Sequence, residues 1–225
     1  MTRRLFCFFL FTARLALGAD ADWQTPLGQM PLAAGVTELV RTNCVDAMLR
    51  AFQSNDVVKA LVFMPGATDE FYMFHRAHAV LTNDAPTLLD AVNALTRQTN
   101  IRVTFDPPLL LLHTDEDPID PLYTIQDQAT ADKIRARRFM AHALFNDIDW
   151  DHLMPVLEKR LKCDFRPWPR HRDSWHFYRH SFAAWNLDGW EALEAVSLAG
   201  KEKFTVKKHR VVFEGDVRVR AVPTF

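Results

Sequence analysis

Residues 88–103 read LLDAVNALTRQTNIRV, and this stretch decides the fold because its apolar period changes partway along. Its first part carries apolar residues at helical spacing, all on one stripe: Leu88, Leu89, Val92 and Leu95. Ile101, Val103 and Phe105 then alternate with polar residues, which is typical of a half-buried strand. The stretch therefore predicts a helix that leads directly into a strand.

The same helix-to-strand pattern recurs between Trp190 and Val206. When the two stretches are aligned at one constant offset in residue number, both residues of every compared pair are apolar. The pairs are Leu89 with Trp190, Val92 with Leu193, Leu95 with Val196, Val103 with Phe204, Phe105 with Val206 and Leu111 with Val212. This repetition predicts an internal duplication. The alternative is chance, because any two α+β segments can slide into partial register.

We predict an α+β fold of two tandem small units, each a small sheet with two helices on one face. The units span residues 36–114 and 144–217, and residues 115–143 form a linker and a connecting helix. That helix is expected from about Ala129 to Ala143, a polar segment rich in Ala and Arg. Cap residues set the other expected helix starts: Thr42 or Asn43, Asp84, Asp149 or Asp151, and Asp188 with Glu191.

The quoted stretch resembles the small secretin and TonB short N-terminal (STN) domain, found at the periplasmic ends of secretins and TonB-dependent receptors. The likeness rests on a leucine-led helix with Ala94-Leu95 in its middle and on Gln98-Thr99 before an alternating strand. Asn100 stands where that family usually has Gly, and Asn can replace Gly in a left-handed conformation. The stretch from Trp190 is similar but lacks the Gln-Thr pair.

The resemblance implies a β-α-β-β-α-β-β unit, here present twice, that docks to other envelope proteins and performs no chemistry. The 225 residues include neither a secretin ring domain nor a receptor barrel, which puts channel and transport functions in doubt. We therefore expect a free-standing adaptor or binding protein without a cofactor.

The overall charge argues against nucleic acid as a partner. With 27 basic and 28 acidic side chains the formal net charge is −1, so no global field draws the chain onto a polyanion. Walker, dinucleotide-binding, serine-hydrolase and zinc-protease motifs do not occur in the sequence. Cys44 and Cys163 show no spacing pattern, which leaves open whether they pair.

The N-terminus has the pattern of a secretory signal peptide, residues 1–18. Basic residues precede an apolar run from Leu5 to Leu17, and small residues precede a cleavage point after Gly18. Arg14 interrupts the run, which leaves an N-terminal core helix as the alternative. We expect a periplasmic or secreted protein with no stable membrane insertion after signal removal.

A stretch rich in Trp and Arg, residues 166–180, is the candidate binding loop of the second unit. Trp, Tyr and Arg dominate binding hot spots because they combine rigid surface area with polar or charged donors. The expected binding residues are Trp168, Arg170, Arg172, Trp175, Tyr178 and Arg179. In the alternative, hairpin alternation points the aromatic rings into the core and the arginines to solvent.

The same stretch contains His171, His176 and His180, which are weaker candidates for metal ligands. On a strand only His176 and His180 share a face, and the neighbouring arginines repel a cation. We expect no metal site. These observations favour a non-enzymatic, exported binding or adaptor protein of the cell envelope that docks to a protein or glycan. The alternative is a metal-dependent hydrolase that uses this histidine-rich hairpin.

Overall fold

The computed structural model describes residues 22–64, 77–114, 122–167 and 179–215, and the structural statements below concern these residues. Helices and strands are mixed along the whole described chain, so the predicted α+β class is confirmed. Six helices lie in the described part: α1 (Gln24–Leu27), α2 (Cys44–Ala51), α3 (Leu88–Gln98), α4 (Gln128–Arg135), α5 (Trp150–Leu161) and α6 (Gly189–Gly200). None of them is long and apolar enough to cross a membrane.

Eleven strands form three sheets in the described part of the chain. The strands are β1 (Glu38–Val40), β2 (Ala60–Phe63), β3 (His78–Val80), β4 (Arg102–Asp106), β5 (Leu109–His113), β6 (Tyr123–Ile125), β7 (His142–Ile148), β8 (Asp164–Pro167), β9 (His180–Trp185), β10 (Glu202–Lys207) and β11 (Arg210–Gly215). The sheet orders are β1-β3, β6-β10-β11-β8 and β4-β5-β2-β9-β7.

Side-chain caps fix the starts of α3, α4, α5 and α6, whereas Asn43 precedes α2 without a side-chain cap hydrogen bond. Asp188 and Glu191 form the predicted capping box of α6, and Asp149 caps α5 by accepting from the His152 N–H. The predicted Asp84 cap of α3 is wrong, because Thr87 and Asp90 form a capping box there instead. The connecting helix α4 ends at Arg135, well before the predicted Ala143, because the chain turns into β7.

The sheets differ from the predicted arrangement, in which each half builds a sheet of its own. β2 of the first half pairs antiparallel with β9 of the second half, from Ala60↔Ala184 to Phe63↔Ser181. One five-stranded sheet therefore runs through both halves. The reason lies in β2, whose four residues are all buried, as expected for a central strand covered on both faces.

Within each half, however, the strand pairing repeats. β4 and β5 pair Val103 with Leu112, and β10 and β11 pair Phe204 with Phe213. β5 lies parallel to β2 just as β11 lies parallel to β8, and β1-β3 is antiparallel just as β7-β9 is. The hairpin registers coincide at the spacing that aligned the two sequence stretches.

The five-stranded sheet separates two hydrophobic cores. Leu61 and Phe63 face the first core with α2, α3 and the β1-β3 sheet, whereas Ala60 and Val62 face the second core. In the second core α6 lies between the five-stranded and four-stranded sheets, and every residue from 189 to 200 is buried except Glu191. The helices thus lie between sheets, not on one face of an isolated sheet.

The shared sheet predicts that both halves unfold together. Phe182 of β9 is fully buried, with its ring centroid 5.0 Å from that of Phe145, so Phe182→Ala should cost about 3–5 kcal/mol of unfolding free energy. Denaturant unfolding followed by amide exchange in β5 and β11 should show one transition. Leu144→Ala, at a 39% exposed side chain, is the control and should change stability by less than about 0.5 kcal/mol. A first half that keeps its stability while the second unfolds would contradict the shared sheet.

Candidate functional site

The candidate binding loop lies mostly outside the described residues. This applies to Trp168, Arg170, Arg172, Trp175 and Tyr178, and also to the histidines at positions 171 and 176. The structure describes the last two residues of the loop: Arg179 directly precedes β9, and His180 is the first residue of β9.

Arg179 bridges β7 and the start of α5. Its Nη1 donates to the Asp147 carbonyl at 3.3 Å and lies 3.6 Å from Asp149 Oδ2, and its Nε lies 3.8 Å from Asp147 Oδ1. Asp147 is the bulged residue of β7, with a φ of 57°. The guanidinium therefore holds a bulge and a helix cap together, and its charge is shared with two carboxylates.

The carboxylate of Asp149 serves this same corner. Partial burial acts to raise its pKa, but hydrogen bonds from His152 and the nearby Arg179 outweigh burial and hold the pKa below its usual value. The ionised carboxylate is the form that caps a helix N-terminus best, because it accepts backbone N–H groups there. The alternating aspartates before α5 thus act as a cap and as ion-pair partners.

His180 is fully buried and faces a buried carboxylate. Its Nδ1 lies 3.3 Å from the Ile148 carbonyl, and its Nε2 lies 3.7 Å from Glu202 Oε2. Glu202 Oε1 accepts from Trp150 Nε1 at 3.2 Å, and the Trp150 ring meets the His180 ring edge-on at 4.6 Å. No described group of three or more His, Cys, Asp or Glu residues could hold a metal ion.

Gly200 makes this close packing of His180 and Glu202 feasible. A Cβ at position 200 would lie 2.5 Å from His180 Nε2 and 2.9 Å from Glu202 Oε2. His180 belongs to β9 and Glu202 to β10, so the pair joins the five-stranded sheet to the four-stranded sheet. Its position in the core makes it a structural contact between the sheets.

Both described cysteines are buried free thiols. Burial raises the pKa of Cys44 to about 12. Burial, together with the charge of Asp164, raises the pKa of Cys163 to about 11. The two residues lie in different hydrophobic cores, and their thiolate forms, which carry cysteine chemistry, are suppressed.

The described surface carries an open groove of ≈ 610 Å³ where α2 of the first half meets β7 and β9 of the second. Leu49 and Phe52 of the first half are buried beneath it, while Leu144 of β7 is 39% exposed. The His142 ring packs on the Trp185 ring with centroids 4.2 Å apart. The lining is divided evenly between apolar or aromatic residues and the polar residues Arg50, Gln53, Ser54 and His142.

Polar contacts tie the two walls of this groove together. Asp46 of α2 accepts from Arg50 Nε at 2.7 Å and from Asn146 Nδ2 of β7 at 3.1 Å. The buried indole Nε1 of Trp185 has no hydrogen-bond partner among the described residues.

The sequence did not point to this groove. Its β7 wall, including His142 and Leu144, borders or falls in the segment predicted as the connecting helix and the unit boundary, so no exposed strand was expected there. The sequence of β7, HALFNDI, has three consecutive apolar residues and no polar-apolar alternation, so its periodicity does not mark it as a half-exposed strand. The other wall of the groove is supplied by a helix of the opposite half.

Comparisons with known proteins found no match: no family model, no curated protein and no solved structure matches this chain.

Gly200→Ala should destabilise the protein by about 1–3 kcal/mol, because the added methyl group displaces His180 or Glu202 from a packed core. Thermal and denaturant unfolding measure the change. Gly28→Ala is the matched control, since the nearest atom to its Cβ would be a carbonyl oxygen at 3.4 Å. In a His180→Ala background the cost of Gly200→Ala should shrink, and an unchanged cost would show that His180 is not the obstacle.

The buried thiols should resist labelling in the native protein. At pH 8 the raised pKa values leave about one thiolate in ten thousand at Cys44 and about one in a thousand at Cys163. In a Cys7→Ser background, a thiol reagent should therefore react at the rate of unfolding, and quickly once denaturant is added. Rapid labelling of either cysteine in the native state would contradict this prediction.

Proposed function

We propose that this chain is a non-enzymatic binding or adaptor protein of the cell envelope, exported to the periplasm or secreted, that docks to a protein or glycan partner. The signal-like pattern of residues 1–18 supports export. The near-neutral net charge of −1 favours a partner that is recognised by surface complementarity over a polyanion.

The finer architecture that we propose is two STN-like units, residues 36–114 and 144–217, fused through the β2-β9 pairing. Support comes from the hairpin registers, which match at the same spacing that aligns the apolar residues of both helices. The parallel and antiparallel pairings also recur in the same order in each half. Fusion through a shared sheet makes the pair one rigid binding scaffold.

The groove between α2 and β7 is the observation that carries the proposal. It combines an exposed Leu144 with the packed rings of His142 and Trp185 in one concave surface. An aromatic anchor position next to apolar walls suits a protein segment or a sugar ring. The loop residues Trp168, Arg170, Arg172, Trp175 and Tyr178, with Arg179, are proposed as a second contact region.

The alternative function, a metal-dependent hydrolase, would need His180 as a ligand beside His171 and His176. His180 is fully buried against Glu202 and Trp150, and a catalytic metal site keeps one position open to substrate. The geometry of His180 therefore favours the binding proposal.

A photo-crosslinking residue at position 144 tests the groove. In envelope extract from the native host it should give one discrete crosslinked species, which His142→Ala reduces by about tenfold through loss of the stacked ring. The matched control places the same residue at position 80, because Val80 and Leu144 are the two exposed large apolar side chains of the described residues, with Val80 at 50%. Equal crosslinking from both positions, or none from position 144, would refute the groove as a docking site.

A further inference from the structure

The two halves differ at one edge, the outer edge of β4 compared with that of β10. In the second half β6 lies parallel to β10 and covers this edge. The Phe204 N–H donates to the Leu122 carbonyl at 2.8 Å, and the Gln126 N–H donates to the Val206 carbonyl at 2.9 Å. In the first half β4 has the same register on its hairpin partner, but no described strand pairs with its outer edge.

The side chains at the two edges differ in burial accordingly. Phe204 and Val206 are 1% and 0% exposed, and the Tyr123 ring of β6 lies 5.6 Å from the Phe204 ring. Their counterparts on β4, Val103 and Phe105, are only partly buried against the first core.

The neighbouring helix position shows the same contrast. Trp190 of α6 is 6% exposed and meets the Tyr123 ring edge-on at 4.8 Å, whereas its counterpart Leu89 of α3 is only partly buried. Leu89, Val103 and Phe105 together are called the β4 edge site below. In the second half, the same three positions are covered by β6.

The sequence before Asp22 does not repeat the sequence of β6 at the equivalent distance. α1 packs on α3 as α4 packs on α6, and Asp22 accepts from the first N–H groups of α1 as Asp127 does for α4. At the distance before Asp22 that β6 holds before Asp127, the sequence is Gly18-Ala19-Asp20. Gly, Ala and Asp are poor strand formers, whereas β6 reads Tyr-Thr-Ile.

We propose that the β4 edge site binds an extended segment of a partner protein, which adds to the sheet as a strand parallel to β4. The segment carries a large aromatic residue and an aliphatic residue separated by one polar residue, the pattern of β6. This proposal shares with the proposed function only the assumption of a protein partner, and it concerns a surface away from the groove.

The hydrogen-bonding groups for such a strand follow from the shared register. Val103 corresponds to Phe204, so its N–H points outward, and Phe105 corresponds to Val206, so its carbonyl points outward. Thr104, between them, directs its hydroxyl to His113 Nε2 at 2.7 Å. Main-chain pairing supplies affinity in strand addition, and the alternate side chains over Leu89, Val103 and Phe105 supply specificity.

The test adds a synthetic peptide with the sequence of residues 121–126, PLYTIQ, to the whole protein and follows amide exchange by NMR. Binding should slow exchange of the Val103 amide by at least about tenfold. The Phe204 amide, already bonded to Leu122, should not change and is the internal control. A peptide with Asp in place of its Tyr should bind at least about tenfold more weakly.

Two protein variants also test the β4 edge site, and the peptide variant keeps the test valid if either protein variant fails to fold. Leu89→Lys and Phe105→Asp change partly exposed side chains and should each abolish peptide binding while the unfolding curve stays cooperative. The peptide with the Asp substitution leaves the protein itself unchanged.

Three results would overturn the proposal. In the first, the Val103 amide of the free protein is as protected as that of Phe204, so that the chain covers its own edge. In the second, the peptide displaces β6 and alters the Phe204 amide. In the third, the peptide at about 1 mM causes no change at Val103, or changes only Leu144 and Trp185 of the groove. Failure at the β4 edge leaves the crosslinking result at position 144 unaffected, so the two proposals fail separately.

Discussion

Four residues of β2, Ala60–Phe63, hold the protein together. All four are fully buried, pair with β5 on one side and with β9 on the other, and alternate between the two cores. At the end of this strand Lys59 Nζ lies 2.9 Å from Glu191 Oε1 of α6, and the Lys59 carbonyl accepts from the Trp185 N–H. Both edges and both faces of this strand are covered, and further contacts between the halves join α2 to β7 and β9.

The groove is a consequence of that strand. Pairing of β9 with β2 brings Trp185, and β7 behind it, alongside α2 of the other half. The groove walls therefore come from distant parts of the chain, and neither half alone has both. The buried contact between His180 and Glu202 then fixes β9 against the four-stranded sheet, so the groove floor belongs to a rigid core.

Local signals in the sequence predicted local structure. The α6 capping box, the stripe of α3 and the hairpin from β10 to β11 were predicted because each is determined by residues close in sequence. Two other features were not. The pairing of β2 with β9 was not predicted, because no short sequence pattern specifies which strand pairs with a given strand edge. The start of β7 was not predicted either, because the Ala- and Arg-rich segment before it has the composition of a helix. For the same reason the sequence suggested that Arg179 was a free binding cation, whereas its acidic partners are Asp147 of the β7 bulge and Asp149 at the start of α5.

The position of β2 in the sequence also constrains how the chain is made. One edge of β2 has no partner until β9, beginning at His180, has been synthesised. Until then a fully apolar strand edge stays open to pairing with other chains, which is the usual origin of aggregation during synthesis. Late closure of the sheet is thus a burden on folding during synthesis, since β2 stays exposed until most of the chain has been made.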